Sequence, residues 1–205
     1  MVDGQRYMQY PSDSGDSSLP LDVNPLPGLG QANAAPTQFV PTPTSQSLAN
    51  WQISFLNQSI VAAQQAQQIS GVPTSVTIAQ AIEESDWGRA TIGGNNYFGI
   101  KAENSPGPAG VVLATTREFV NGAWITVQAP FRAYNSMTES FLDHAEFFTT
   151  NRRYAVAMQH TADPRLFARL INQAGYATDP NYATKLITLM DRYDLYRYDV
   201  PMREG

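Results

Sequence analysis

The chain has 205 residues, 42% of them hydrophobic, enough for one ordinary domain with an appendage, and no apolar run is long enough to span a membrane. Its net charge is −5 and it has no basic stripe to neutralise phosphates, which argues against a nucleic-acid partner. Cysteine is absent, which excludes thiol nucleophiles, disulfides and thiolate metal sites; histidine occurs only at His144 and His160, with no His-Glu-x-x-His spacing, which argues against a zinc amidase or peptidase and leaves carboxylate chemistry for hydrolysis.

Residues 1–45 hold seven of the fourteen prolines, with Gly, Ser, Asn, Gln and Thr between them and few large apolar side chains. Such a segment buries too little surface to offset its ordering entropy, so it reads as an extended arm, either a plain linker or one held by a protein partner. From Ser45 the pattern turns helical. Leu48, Trp51, Phe55, Ala62, Ala66 and Ile69 fall on one stripe that ends at Gly71-Val72-Pro73. Pro73 opens a second helix over roughly 74–87, followed by a loop through Gly93-Gly94-Asn95-Asn96.

Residues 110–134 form an expected β-hairpin, since two β-rich runs flank Asn121-Gly122, the strongest short-range hairpin signal. Three or four helices follow. Ser136-Met137-Thr138-Glu139 has capping-box spacing ahead of Phe141, Leu142, Ala145 and Phe148. Asp163-Pro164 opens a helix with Phe167, Leu170, Ile171 and Ala174 inward, closed by Gly175. Asp179-Pro180 opens the last, with Ala183, Leu186, Ile187 and Met190 inward. The expected fold class is α+β and mostly helical, a lysozyme-like helical lobe with a β-hairpin lobe beside a cleft. The domain divides as an arm over 1–45, a catalytic domain over 46–198 and a tail over 199–205. His144 reads as a surface residue of its helix.

The most informative segment is Ile78–Gly88, where a helical pattern carries Glu83 and Glu84 to its own end beside Trp87. A carboxyl between water and an apolar surface can be held protonated near neutral pH, as a general acid requires. Helical geometry leaves Glu83 and Glu84 both open: Glu84 shares a face with Gln80 and Trp87, and Glu83 lies nearer Ala79 and Val76.

AQAIEESDWG over 79–88 and NNYFGIK over 95–101 resemble the signature of glycoside hydrolase family 73, the peptidoglycan N-acetylglucosaminidases, and GYATDP over 175–180 matches a further segment in the right order. The resemblance covers about residues 50–195. It implies the same fold, cleavage of the β-1,4 bond between N-acetylglucosamine and N-acetylmuramic acid, and no metal or organic cofactor. It places the catalytic glutamate directly before Ser85, which selects Glu84. It puts a second acid on the hairpin strand Thr115–Phe119, which selects Glu118 as general base, although an exposed edge-strand charge has the same appearance. Glu103 and Asp86 are reserve acids. It sets Tyr176 in the cleft as a hydroxyl donor. Asp179 reads as a helix N-cap, and Tyr182 lines either the cleft or the core.

Asn95, Asn96, Tyr97, Gln80, Trp87 and Tyr182 are the candidate sugar-binding residues, because rings stack on pyranose faces and amides bond hydroxyl and acetamido groups. Phe98 and Ile100 read as core, and Trp124 and Tyr134 as outer subsites. The expected partners are glycan strands and a protein that mounts the arm, without membrane insertion. The opening MVDGQRYMQYPSDSGDSS lacks the apolar segment of a classical secretory signal, so a periplasmic or wall location implies flagellar export or a phage particle.

Overall fold

Alanines at 62, 63 and 66 and the larger Phe55, Leu56 and Ile60 make one side of α1 (Asn50–Ser70) a close-packing surface, and it lies against α2 and α3. The computed structural model describes residues 35–42, 48–102, 105–120 and 123–201, leaving aside the side chains at 117–120 and 123–124. The fold is α+β and mostly helical, six α-helices with one antiparallel hairpin among the described residues. The expected stripe on α1 is turned. Trp51 and Ile69 are exposed, because the buried arc centres on Leu56, Ile60 and Ala63, and 51 and 69 fall at its rim.

Gly71 ends α1 in the left-handed region, φ 81°, with its N–H on the Gln67 carbonyl. It hands over to α2 (Thr74–Ser85), which is buried along nearly its whole length. Pro73 has no side chain with which to cap α2. Distant residues do so: Asp199 accepts from the Ser75 N–H at 2.7 Å and from its hydroxyl at 2.8 Å, and Gln67 Oε1 accepts from the Thr74 N–H at 3.0 Å.

The second helix stops two residues earlier than its pattern suggests, since Asp86, Trp87 and Gly88 take φ of 47°, 59° and 77° in succession. Gly88 cannot be replaced there, because a Cβ would sit 2.9 Å from Phe55 Cδ2.

The hairpin forms as expected, β1 (Val111–Val120) against β2 (Ala123–Arg132), in register from Val111↔Arg132 to Val120↔Ala123. The Asn121-Gly122 connection lies outside the described residues. At its root Ala129 and Phe131 are buried, while Leu113 and Ile125 on the strands are exposed. Asn96 fastens the 93–100 loop to this root, its amide donating to the Ile100 and Arg132 carbonyls, both at 2.9 Å, and accepting from the Ile100 N–H at 3.0 Å.

Ser136 caps α3 (Met137–Thr150) as expected, but Glu139 returns to the Asn135 N–H, one residue earlier than a capping box requires. Arg132 and Tyr134 both bind Asp143 of α3, tying hairpin root to helix. Tyr134 is therefore a buried structural residue and not an outer sugar subsite.

A short α4 (Ala155–Met158) leads to α5 (Pro164–Gln173), capped by Asp163, and α6 (Tyr182–Tyr193). The last helix starts at Tyr182, later than the Asp179-Pro180 signal, because Asp179 spends one oxygen on a turn to the Asn181 N–H. Phe39 packs into the core and its N–H binds Asn57, so the folded unit reaches upstream of residue 46. No described helix is long and apolar enough to cross a membrane.

Candidate active site

Burial of α2 leaves its last turn as the one place where its carboxylates can meet solvent, and Glu83 and Glu84 are both half-buried there. Their surroundings differ. Glu83 binds Lys185 at 2.9 Å, and Lys185 also binds Asp179 at 3.0 Å. The two carboxylates push the Lys185 ammonium up to about 12. Glu84 turns the other way, and its Oε1 accepts from the Tyr182 hydroxyl at 2.7 Å. Gln80, one turn earlier on α2, donates to that same hydroxyl oxygen at 3.2 Å. Three elements of the sequence expectation, Gln80, Glu84 and Tyr182, are thus joined by two hydrogen bonds.

The ring of Tyr182 lies within the core cluster, and its hydroxyl reaches out of it to Glu84. Tyr176 stacks on Tyr182 with centroids 5.4 Å apart and on Phe148 at 5.5 Å. Gly175, at φ 83°, ends α5 and brings Tyr176 to this position. Burial first, then the Glu84 charge, push the Tyr176 and Tyr182 hydroxyls well above the usual phenol range, so both stay protonated donors.

His144 overturns its expected surface position. It is fully buried, stacked on Phe98 at 3.7 Å and 9° between planes, with Nε2 3.1 Å from the Tyr176 hydroxyl. Burial lowers its imidazole to about 3, so it is neutral. A sequence signal existed: 144 lies three after Phe141 and four before Phe148, on the same helical face. Asp179 is not the N-cap of α6. It forms the turn before it and joins Lys185.

The remaining candidates are placed as follows. Trp87 is half-buried and meets Trp51, Phe55 and Tyr193 edge-on, at 6.4, 6.1 and 5.1 Å. Asn95 is exposed, at φ 55°, with its amide on the Tyr134 carbonyl. Asn96 is buried, its amide bonded to backbone. Tyr97 is half-buried between Phe55 and Phe141. Phe98 and Ile100 are core, as expected. Asp86 is paired with Arg89 at 2.8 Å on the surface. Register sets Glu118 opposite Ile125, but its side chain and that of Trp124 lie outside the description, as does the whole of Glu103. Among the described residues no group of three or more His, Asp or Glu is placed to hold a metal ion.

A family model described as mannosyl-glycoprotein endo-beta-N-acetylglucosaminidase, the glucosaminidase family, matches residues 60–195. The peptidoglycan hydrolase FlgJ of Escherichia coli strain K12 is 40% identical over 160 residues, which is 75% of this chain and 50% of that protein. The exo-glucosaminidase LytG of Bacillus subtilis strain 168 is 38% identical over 131 residues, 61% of this chain and 45% of that one. The chain spans about half the length of the curated relatives it matches. Among solved structures, the catalytic domain of the autolysin Auto from Listeria monocytogenes aligns with a TM-score of 0.66 at 31% identity, covering 75% of this chain and 90% of that one. The glycoside hydrolase domain of Salmonella typhimurium FlgJ aligns with a TM-score of 0.59 at 35% identity, covering 70% and 88%.

Proposed function

Because the chain belongs to the glucosaminidase family of glycosidases, we propose that it hydrolyses peptidoglycan at the β-1,4 bond between N-acetylglucosamine and N-acetylmuramic acid, with Glu84 as the general acid. The observation that carries this proposal is the Tyr182 hydroxyl on Glu84 Oε1 at 2.7 Å, beside a Glu83 that is drawn to Lys185. With Oε1 accepting from Tyr182, the transferable proton belongs on Oε2, from which it passes to the departing glycosidic oxygen. The names of the FlgJ relatives support peptidoglycan as the substrate.

Cleavage also needs a group to deal with the oxocarbenium-like centre. Glu118 is proposed for that task, as the base that takes a proton from attacking water. Alternation gives position 118 the same hairpin face as Thr116, whose side chain is buried. Tyr176 is proposed to donate to the sugar as charge develops. Trp87, Asn95 and Tyr97 are proposed to line the sugar path, with Asn96 supporting them through the backbone. The enzyme is proposed to act in the periplasm or wall, its arm mounted on a flagellar or phage machine that must pierce the wall.

The test is digestion of purified peptidoglycan by the wild type and by Glu84→Gln, with mass spectrometry of the products. New reducing N-acetylglucosamine ends, falling by at least about 100-fold in the variant, are the expected result. Anhydro-muramic ends would indicate a lytic transglycosylase, and unchanged activity in the variant would remove Glu84 from the mechanism.

A further inference from the structure

His144 is a buried imidazole with no part in the chemistry above, yet it stands at the far end of the column that reaches Glu84. Its Nε2 is 3.1 Å from the Tyr176 hydroxyl, the Tyr176 ring stacks on Tyr182, and the Tyr182 hydroxyl holds Glu84 at 2.7 Å. Phe98 lies flat against the imidazole, and Phe148 meets it edge-on at 5.0 Å. The ring cannot turn without breaking these contacts.

The other nitrogen decides the tautomer. Nδ1 is buried and has no hydrogen-bond partner among the described residues. A proton there would be an orphaned donor in an apolar pocket, whereas a bare lone pair there is the lesser cost. The proton therefore sits on Nε2, and Nε2–H donates to the Tyr176 oxygen. With its oxygen accepting from the imidazole, Tyr176 must send its own O–H elsewhere. After burial, the carboxylate of Glu84 is the largest influence raising that hydroxyl, and the ring of Tyr182, which holds Glu84, stacks on Tyr176.

We infer that His144 is a positioning residue, which as the neutral Nε2–H tautomer turns the Tyr176 O–H away from the imidazole and toward the Glu84 side, where it is proposed to meet the sugar. This rests on Glu84 being the acid. The imidazole touches neither substrate nor the reacting bond. It acts by fixing which way a phenol proton points, the kind of pre-setting that costs nothing at the moment of reaction.

The experiment has two arms on the full chain. The first is nitrogen-15 NMR of labelled wild type at pH 7, where only His144 and His160 contribute imidazole signals. A neutral Nε2-protonated His144 is expected, and an Nδ1-protonated ring would overturn the inference. The second arm compares kcat and KM on soluble glycan-strand fragments for His144→Phe and His144→Gln. Phe keeps the stacking shape without a donor, and Gln carries an amide N–H near the Nε2 position. Expected is a loss in kcat of about ten-fold for Phe with KM nearly unchanged, and recovery to within about three-fold of wild type for Gln. Wild-type kcat in the Phe variant, or equal loss in two folded variants, would reduce His144 to packing. If a variant does not fold, the wild-type tautomer still decides. Glu84→Gln is assayed alongside: activity surviving there defeats the acid assignment, a failure separate from that of the imidazole.

Discussion

At Glu84 the deciding contact comes from another helix, since the Tyr182 hydroxyl of α6 fixes one carboxylate oxygen while Lys185 takes Glu83 to the surface. Tyr182→Phe should therefore lower kcat by about ten-fold. It should also destabilise the fold by about 1 to 2 kcal/mol, because buried Gln80 loses its acceptor. Kinetics and chemical denaturation of the one variant test both effects. Glu83→Gln should stay within about two-fold of wild-type activity and cost under about 1 kcal/mol, because its ion pair is solvent-exposed. No helical wheel separates these two glutamates, since their difference lies in residues about a hundred positions away. The pairing of Gln80 with Glu84 was legible, being one helical turn. His144 was misjudged on charge type, although its 141–144–148 spacing was the better guide.

Among the elements, α2 shows how far capping can come from outside a helix. Its start lies at Pro73, which offers no side-chain oxygen, and Asp199 fills that role from the far end of the chain. Burial raises the Asp199 carboxyl to about 6 from an ordinary 3.8, with the Ser75 bonds opposing. Because the folded value is the higher, the associated stability is complete below about 3.8 and is lost as pH rises through about 6. Asp199→Asn keeps an acceptor for Ser75 and removes the titration. Wild-type stability relative to this variant should thus fall by about 2 kcal/mol between pH 4 and pH 6.5, measured by denaturation at each pH. His144 has the opposite sign. Its folded value of about 3 lies below the ordinary 6.5, so its contribution is whole above 6.5 and fades as pH falls toward 3. The hairpin was legible to its register because Asn-Gly dictates a two-residue connection. The ends of α2 and α6 were not, since Asp86 and Trp87 adopt left-handed backbone without being glycine, and Asp179 spent its cap on a turn.

For the whole molecule, the two ends of the described chain are sewn to α1. Gln64 donates to both the Pro36 and Tyr198 carbonyls, and Gln67 binds Val200 through both atoms of its amide. Val40 N–H reaches the Tyr198 hydroxyl at 2.9 Å. Phe39→Ala should cost about 3 kcal/mol, whereas Val40→Ala, at an exposed position, should cost under about 0.5 kcal/mol, by thermal or chemical denaturation. Composition alone marked this stretch as arm, because a single buried phenylalanine does not show in an average over 45 residues. The tail was equally opaque, its value resting on Asp199 meeting a helix start 124 positions away. These stitches set a polarity. Asp199 grips the first turn of α2 and Glu84 stands on its last, about 14 Å along the axis. Whatever is joined to either end of the described chain thus hangs from one pole of α2 while Glu84 stands at the other. Under the proposed function, the length of a tether at that pole would set how far from its anchor Glu84 can reach.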